Sequence, residues 1–329
     1  MKKILSSLSI LLVLSVSLSG QDSRQRTVET VVSDVLAAMP SQNAESFNTQ
    51  MADLAAAAPQ SVVLVASKLK PSARGVKNNL LEYALTGLSS YIKTNPSSIA
   101  KVSEGFVQAI DNAGDTEVKA FLMERFRCFA TKEYSDIFTK NAKDPVLGSI
   151  AIGALTDIPG TEDIILSLME NEGADRNLLS AAASEKGISA AEPYIAKWAL
   201  EAEGYDAEAL CRALSSVGSE KSLPVLAGKS LPEYASLAVK LANGNNSKAV
   251  KKAAKALMGQ EDSFLKSAGA EALMKNNPAT VYKTLASALK SEDGQFRDAV
   301  LDDATEILGT GNLVPMLVGK FNKLSEPSK

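Results

Sequence analysis

The chain has 329 residues, 45% of them apolar and only 5% aromatic, enough for one large domain or two ordinary ones built around Ala, Leu, Val and Ile rather than rings. Its formal charge is −3, with 38 acidic against 35 basic residues, which excludes the strongly basic balance of a nucleic-acid binder. Histidine is absent, and with it go Ser–His and Cys–His nucleophilic catalysis and histidine-ligated zinc.

The first twenty residues read as a secretory signal peptide. Lys2 and Lys3 precede the apolar run ILSSLSILLVLSVSLS, and the small residues Ser17, Ser19 and Gly20 follow. The run is too short and wrongly flanked to span a membrane, so cleavage near Gly20 is expected. No cysteine follows for a lipid anchor, and no later segment has the length and apolarity of a transmembrane helix. The expected product is a periplasmic or secreted protein.

Residues 21–71 read as an irregular N-terminal helical cap. Within it, SVVLVASKL (61–69) is the best strand candidate, but alanine-rich stretches flank it and it is expected to be a buried helix. Breakers then recur at Pro71, Pro96, Pro145, Gly160, Gly173, Gly187, Gly204, Gly218, Pro232, Gly244, Gly259, Pro278, Gly294 and Gly311. Most gaps are roughly one helix plus a turn. First helices of successive pairs are expected near residues 115, 145, 174, 206, 232, 261 and 294, about 30 residues apart.

Three stretches carry the internal similarity, beginning at Asp144, Tyr205 and Gly294. Each has a first helix ending in leucine (Leu155, Leu214, Leu308) and then a turn with glycine (Gly160, Gly218, Gly309). A second apolar stripe follows: Ile164, Ile165 and Leu168; Leu223, Val225 and Leu226; Leu313, Leu317 and Val318. Pro193, Pro224 and Pro315 fall near the expected starts of second helices, where proline is tolerated. Residues 325–329 are expected to be a frayed tail.

This pattern resembles HEAT repeats, in particular the short bacterial HEAT-like kind. The best match is FRDAVLDDATEILG (296–309), with Phe296, Arg297, Ala299, Ala304, Leu308 and Gly309; most other units lack a counterpart of Arg297. The tetratricopeptide alternative would bring Trp, Tyr and Pro landmarks that are missing. The resemblance covers residues 72–324 and implies an all-α fold, a right-handed α-α superhelix of antiparallel helix pairs whose second helices line the concave face. Elementary packing agrees, since one pair cannot bury its apolar stripes alone and stacked neighbours share a continuous core. Cys128 and Cys211 fall in units about three apart, too far for the ~7 Å Cα separation a disulfide tolerates, so two separate buried thiols are expected.

No chemistry emerges. Ser-x-x-Lys occurs at Ser67/Lys70, Ser90/Lys93, Ser98/Lys101, Ser263/Lys266 and Ser287/Lys290, but no Ser-Asp-Asn or Lys-Thr-Gly accompanies it. The acid pairs Glu261-Asp262 and Asp302-Asp303 lack the loop spacing of oxygen ligands and read as solvated or N-terminal-turn acids. Trp198 reads as core. No catalytic, cofactor or metal residue is expected, and no enzymatic activity.

What remains is charge. In KAVKKAAKAL (248–257), Lys248, Lys251, Lys252 and Lys255 fall at i, i+3, i+4 and i+7, one face of a helix. The next second helices add Lys283, Lys290 and Lys320, while the first helices over the same range are acidic. Earlier second helices carry Glu162, Asp163, Glu170, Glu172, Glu192 and Glu201, which predicts an acidic middle. The expectation is a non-enzymatic periplasmic scaffold that holds a protein or peptide with an acidic segment on its concave face. The alternatives are an envelope-associated module for an anionic glycan or lipid headgroup, and a HEAT-like subunit assisting an enzyme. Nothing in the sequence specifies the oligomeric state.

Overall fold

The structure is a computed structural model that describes residues 26–320 except 74 and 172, and leaves the side chains of residues 316 and 320 undescribed. The expected signal segment and the 325–329 tail lie outside the described residues. Among the described residues all regular structure is helical, with no strand. The 61–69 stretch is helical over Gln60–Ala66, with Val62, Val65 and Ala66 buried.

The chain divides into two compact units at Cys128/Phe129. The first contains α1 (Val28–Ala37), α2 (Ala44–Ala56), α3 (Gln60–Ala66), α4 (Asn79–Thr94), α5 (Ile99–Asn112) and α6 (Thr116–Arg127). The second contains α7 (Ser135–Asn141), α8 (Gly148–Asp157), α9 (Glu162–Glu170), α10 (Arg176–Glu185), α11 (Glu192–Glu201), α12 (Gly204–Val217) and α13 (Leu223–Lys229). It continues with α14 (Leu231–Leu241), α15 (Lys248–Met258), α16 (Ser263–Asn276), α17 (Val281–Ala288), α18 (Gly294–Leu308) and α19 (Thr310–Lys320).

Helix starts follow from capping chemistry. Asp115, Asp175, Ser247, Asp262 and Asp293 each accept a hydrogen bond from an otherwise unpaired first-turn amide, an arrangement worth about 1 kcal/mol per helix. Asn43 and Ser46 close a reciprocal cap on α2. Pro193 and Pro224 lie in the first turns of α11 and α13 as expected. Pro315 does not: α19 already starts at Thr310, so this proline sits inside the helix. Its missing N–H costs one intrahelical bond there.

In the first unit helices stack on alternate helices: α1 on α3 and α3 on α5, α2 on α4 and α4 on α6. Phe106 of α5 and Phe126 of α6 stack at 5.9 Å between ring centroids. Cys128, expected to be buried, is exposed, because it lies at the C-cap of α6 rather than on its apolar face. Its thiol donates to the Glu124 carbonyl at 3.5 Å. Cys211 of α12 is buried, and both thiols are free.

In the second unit the first helices form a continuous packed row: α8, α10, α12, α14, α16 and α18, each against the next. The second helices pack mainly on their own or the following first helix, and α11–α13 is the one pair among them in close backbone contact. This is solenoid-like stacking of helix pairs, all-α throughout the described residues. The last layers show how the core is shared. Ala270 and Met274 of α16, Val281, Leu285 and Ala288 of α17, Phe296, Val300 and Ala304 of α18 and Leu313 of α19 form one buried cluster. Val318 was expected in the apolar stripe of α19 but is 71% exposed, and Val314 is 48% exposed. No later described pair covers that side of α19.

Small residues set the closest approaches. A Cβ on Gly269 of α16 would lie 2.7 Å from the Ala254 carbonyl oxygen, 2.7 Å from the Met258 nitrogen and 2.8 Å from Leu257 Cβ, all on α15. Two of those atoms are backbone and cannot swing aside. Gly269→Ala is therefore expected to destabilise the second unit by about 1–3 kcal/mol through overpacking, measurable as a lower thermal midpoint.

Candidate partner-binding face

The α15 stripe is built as follows. Val250, Ala253, Ala254 and Leu257 are all at or below 1% exposure and seat one face of the helix on α14 and α16. Lys248, Lys251, Lys252 and Lys255 occupy the opposite face, and all four are exposed. Ser247 caps the helix, its hydroxyl accepting from the Val250 amide at 3.2 Å.

The entry to this helix is clamped by Asn276, a fully buried residue at the end of α16. Its side-chain oxygen accepts from the Ser247 amide at 2.8 Å, and its side-chain nitrogen donates to the Ser247 carbonyl at 3.0 Å. The Asn246 and Gly244 amides donate to the carbonyls of Asn276 and Lys275. Asn246 (φ 54) and Gly244 (φ 81) take up the left-handed turn this docking requires. The lysine stripe is thus held at a fixed angle on the first-helix row. Sequence reading missed Asn276; an Asn-Asn pair before a proline looks like an ordinary turn, and only burial reveals the role of its first member.

The other candidates are placed less closely. Lys283 in α17 and Lys290 just after it are exposed, and α15 and α17 are not in close backbone contact. Lys320 ends α19, and its side chain is among those not described. Among the described residues, none of the six described lysines takes part in an ion pair or a side-chain hydrogen bond.

That separates them from several other lysines of the same unit, though Lys197 and Lys221 are likewise exposed and in no ion pair among the described residues. Lys186 is nearly buried; it donates to the carbonyls of Thr156 (3.1 Å) and Ile158 (2.8 Å) at the end of α8 and pairs with Glu162 at 3.3 Å. Lys229 donates to the Ala202 carbonyl at 3.0 Å, and Lys240 to that of Ser216. Lys132 pairs with Asp163 at 3.3 Å. These cations close helix C-termini or bridge neighbouring pairs. Two lysines also lie on the first helix α16, Lys266 and Lys275, so charge is not sorted by helix type as cleanly as the sequence implies. Both are neutralised in place, by Asp293 (3.5 Å) and Glu271 (2.7 Å).

The expected acidic middle is likewise largely internal. Besides the Glu162 and Asp163 pairs, Glu201 pairs with Arg176 at 3.0 Å. Glu170 accepts from the Tyr194 hydroxyl at 2.9 Å. Glu192 accepts from the Ser219 amide and the Ser219 and Ser222 hydroxyls. Burial acts to raise the Glu192 carboxyl, but these hydrogen bonds outweigh it and hold its pKa below the usual value.

Ser263 and Lys266, one of the Ser-x-x-Lys pairs, do come together, but through Asp293. Its carboxylate caps α18 at the Phe296 amide (3.0 Å), accepts from the Ser263 hydroxyl (2.8 Å) and pairs with Lys266. Those bonds, the Phe296 amide first, lower its pKa. A carboxylate stands between serine and lysine, so the trio is a helix cap joining two repeats and not a nucleophile with its base.

A cleft of about 610 Å³ lies beside Trp198 of α11. Trp198 is 7% exposed, with the Arg176 guanidinium 5.5 Å from its ring centroid. Arg176 is held by Glu201 within its own helix pair and Tyr194 by Glu170 of the preceding one, so these polar groups bond to each other. Among the described residues no group of three or more Cys, Asp or Glu is placed to hold a metal ion. No described helix is long and apolar enough to cross a membrane. No family model and no curated protein matches the chain.

On the acidic side, burial, then Glu271 of α16 and Glu306 and Asp302 of its own helix, push the Asp303 carboxyl up to about 6, against the pull of Lys275. The sign of the consequence is fixed. Below the ordinary Asp value both folded and unfolded chains are protonated and nothing is gained or lost. Between there and about 6 the folded state holds the extra proton, so stability falls as pH rises through this window. At neutral pH an ionised Asp303 costs on the order of 1 kcal/mol after solvent screening. Asp303→Asn should raise the thermal midpoint at pH 7.5 and leave it unchanged at pH 3.5; an unchanged midpoint at pH 7.5 contradicts the assignment.

Proposed function

We propose that the chain is a non-enzymatic HEAT-like scaffold, exported to the periplasm, that holds a protein or peptide partner with an acidic segment against the lysine face of α15. The observation that carries this reading is the contrast among lysines. Lys186, Lys229, Lys240, Lys266 and Lys275 close helix ends or pair with acids, and Lys197 and Lys283 are unpaired one to a helix, whereas Lys248, Lys251, Lys252 and Lys255 stand exposed together on one clamped helix face, in no ion pair among the described residues. Four like charges on one helix face repel, a cost of a few tenths of a kcal/mol per pair that a bound anionic partner would reverse. The proposal attaches to this exposed face rather than to an enclosing groove, because the second helices pack on first helices and seldom on one another.

Exposed ion pairs are individually weak and strongly screened, so the contact is expected to be reversible and salt-sensitive. The test is affinity capture from bacterial envelope extract with the mature protein and its Lys251→Glu/Lys252→Glu variant as baits. A protein retained by the first bait at low salt, released at high salt and absent from the second supports the reading. Equal capture by both baits overturns it.

A further inference from the structure

Two helix faces of the second unit carry charge that no ion pair neutralises, and their signs are opposite. One is the α15 stripe. The other is on α18, where Asp298, Asp302 and Glu306 recur at i, i+4 and i+8, all exposed, opposite the buried Phe296, Val300 and Ala304. Among the described residues these three acids take part in no ion pair or side-chain hydrogen bond. No other described helix aligns three such acids. Nearby carboxylates differ: Asp262 and Asp293 cap helices, and Glu271 is held by Lys275.

The two stripes also match in length. At 1.5 Å rise per residue the lysine stripe spans about 10 Å and the acidic one about 12 Å. They cannot meet within one copy, since α15 packs on α14 and α16 while α18 packs on α16, α17 and α19. We propose that the occupant of the lysine face is a second copy of this chain, whose α18 acids lie along the α15 lysines. The proposal rests on the reading of α15 as a docking face and names its partner. The Asp303 carboxyl on the same helix is pushed up first by burial and then by Glu271, Glu306 and Asp302, against Lys275. Because the two surfaces differ, a two-fold pair satisfies both stripes reciprocally, whereas any other arrangement leaves one stripe free on each copy and assembly continues head-to-tail unless the rotation closes a ring.

Sedimentation velocity of the mature chain over a concentration series tests this. The expected result is association that grows with concentration at about 20 mM salt and is at least tenfold weaker at about 300 mM. Lys251→Glu/Lys252→Glu alone and Asp298→Lys/Asp302→Lys/Glu306→Lys alone should each abolish it, and mixing the two should restore it. The milder Asp298→Asn/Asp302→Asn/Glu306→Gln should weaken it too, which covers a fold defect in the charge-reversed chain. A monomer at every concentration in low salt overturns the proposal, as does undiminished association of both α18 variants. A glutamate-rich peptide separates the two levels. If the wild type stays monomeric but binds the peptide, self-docking fails and the scaffold reading stands. If Lys251→Glu/Lys252→Glu binds the peptide as well as the wild type, the scaffold reading itself fails.

Discussion

Lys251→Glu/Lys252→Glu is expected to weaken binding of an acidic peptide by about tenfold or more at low salt, with little change in thermal midpoint. Two attractive contacts become repulsive, and at ~0.5 kcal/mol for each loss and each new repulsion the change is about 2 kcal/mol. Stability is spared because both side chains are exposed and bond to nothing in the fold, and surface substitutions of this kind stay within about 0.5 kcal/mol. Lys186→Met is the control with the opposite profile. It removes the cation that closes the end of α8 and pairs with Glu162, so it should lower the midpoint and leave peptide binding intact.

The largest expected effect on stability is at Asn276. Replacing it with Ala removes both part-buried bonds to Ser247, leaving the Ser247 amide only its bond to Asn245 Oδ1 and the Ser247 carbonyl only the Lys251 amide. Each lost bond costs about 0.5–1.5 kcal/mol, and the volume vacated at the fully buried Asn276 adds to this. A total of about 2–4 kcal/mol lowers the midpoint of a unit this size by roughly 5–15 °C. The same substitution unclamps the start of α15, so hydrogen exchange should rise first at the amides of Ser247, Asn246 and Gly244. Unchanged exchange there, with a normal melting curve, would contradict the clamp.

The helix pairs were legible because their signals are local. Pro193 and Pro224 fall in first turns, Asp262 and Asp293 cap α16 and α18, and the glycine turns separate α8 from α9 and α12 from α13. Expected starts at residues 206 and 294 lie within two residues of Gly204 and Gly294. The lysine stripe was legible for the same reason: helical spacing alone puts its members on one face. What escaped depends on contacts across repeats. Asn276 lies 29 residues from Ser247. Glu162 and Asp163 look like free acids until Lys186 and Lys132 reach them, and Lys266 and Lys275 look like exceptions until Asp293 and Glu271 neutralise them. Cys128 and Pro315 were misplaced by one turn, where a helix end fell differently from the breaker pattern. The α18 acids were legible only as part of acidic first helices, and stood out as a stripe once Asp262, Asp293 and Glu271 were seen to be occupied.

The central claim is that the exposed face of α15 binds through uncompensated positive charge. The most direct test is a fluorescence-anisotropy titration of a labelled glutamate-rich peptide with the protein at about 20, 100 and 300 mM salt. The account predicts saturable binding at the lowest salt, a Kd that rises at least tenfold across the series, and loss of binding when Lys248, Lys251, Lys252 and Lys255 are all changed to Glu. A Kd independent of salt, or binding that survives those four changes, would contradict it.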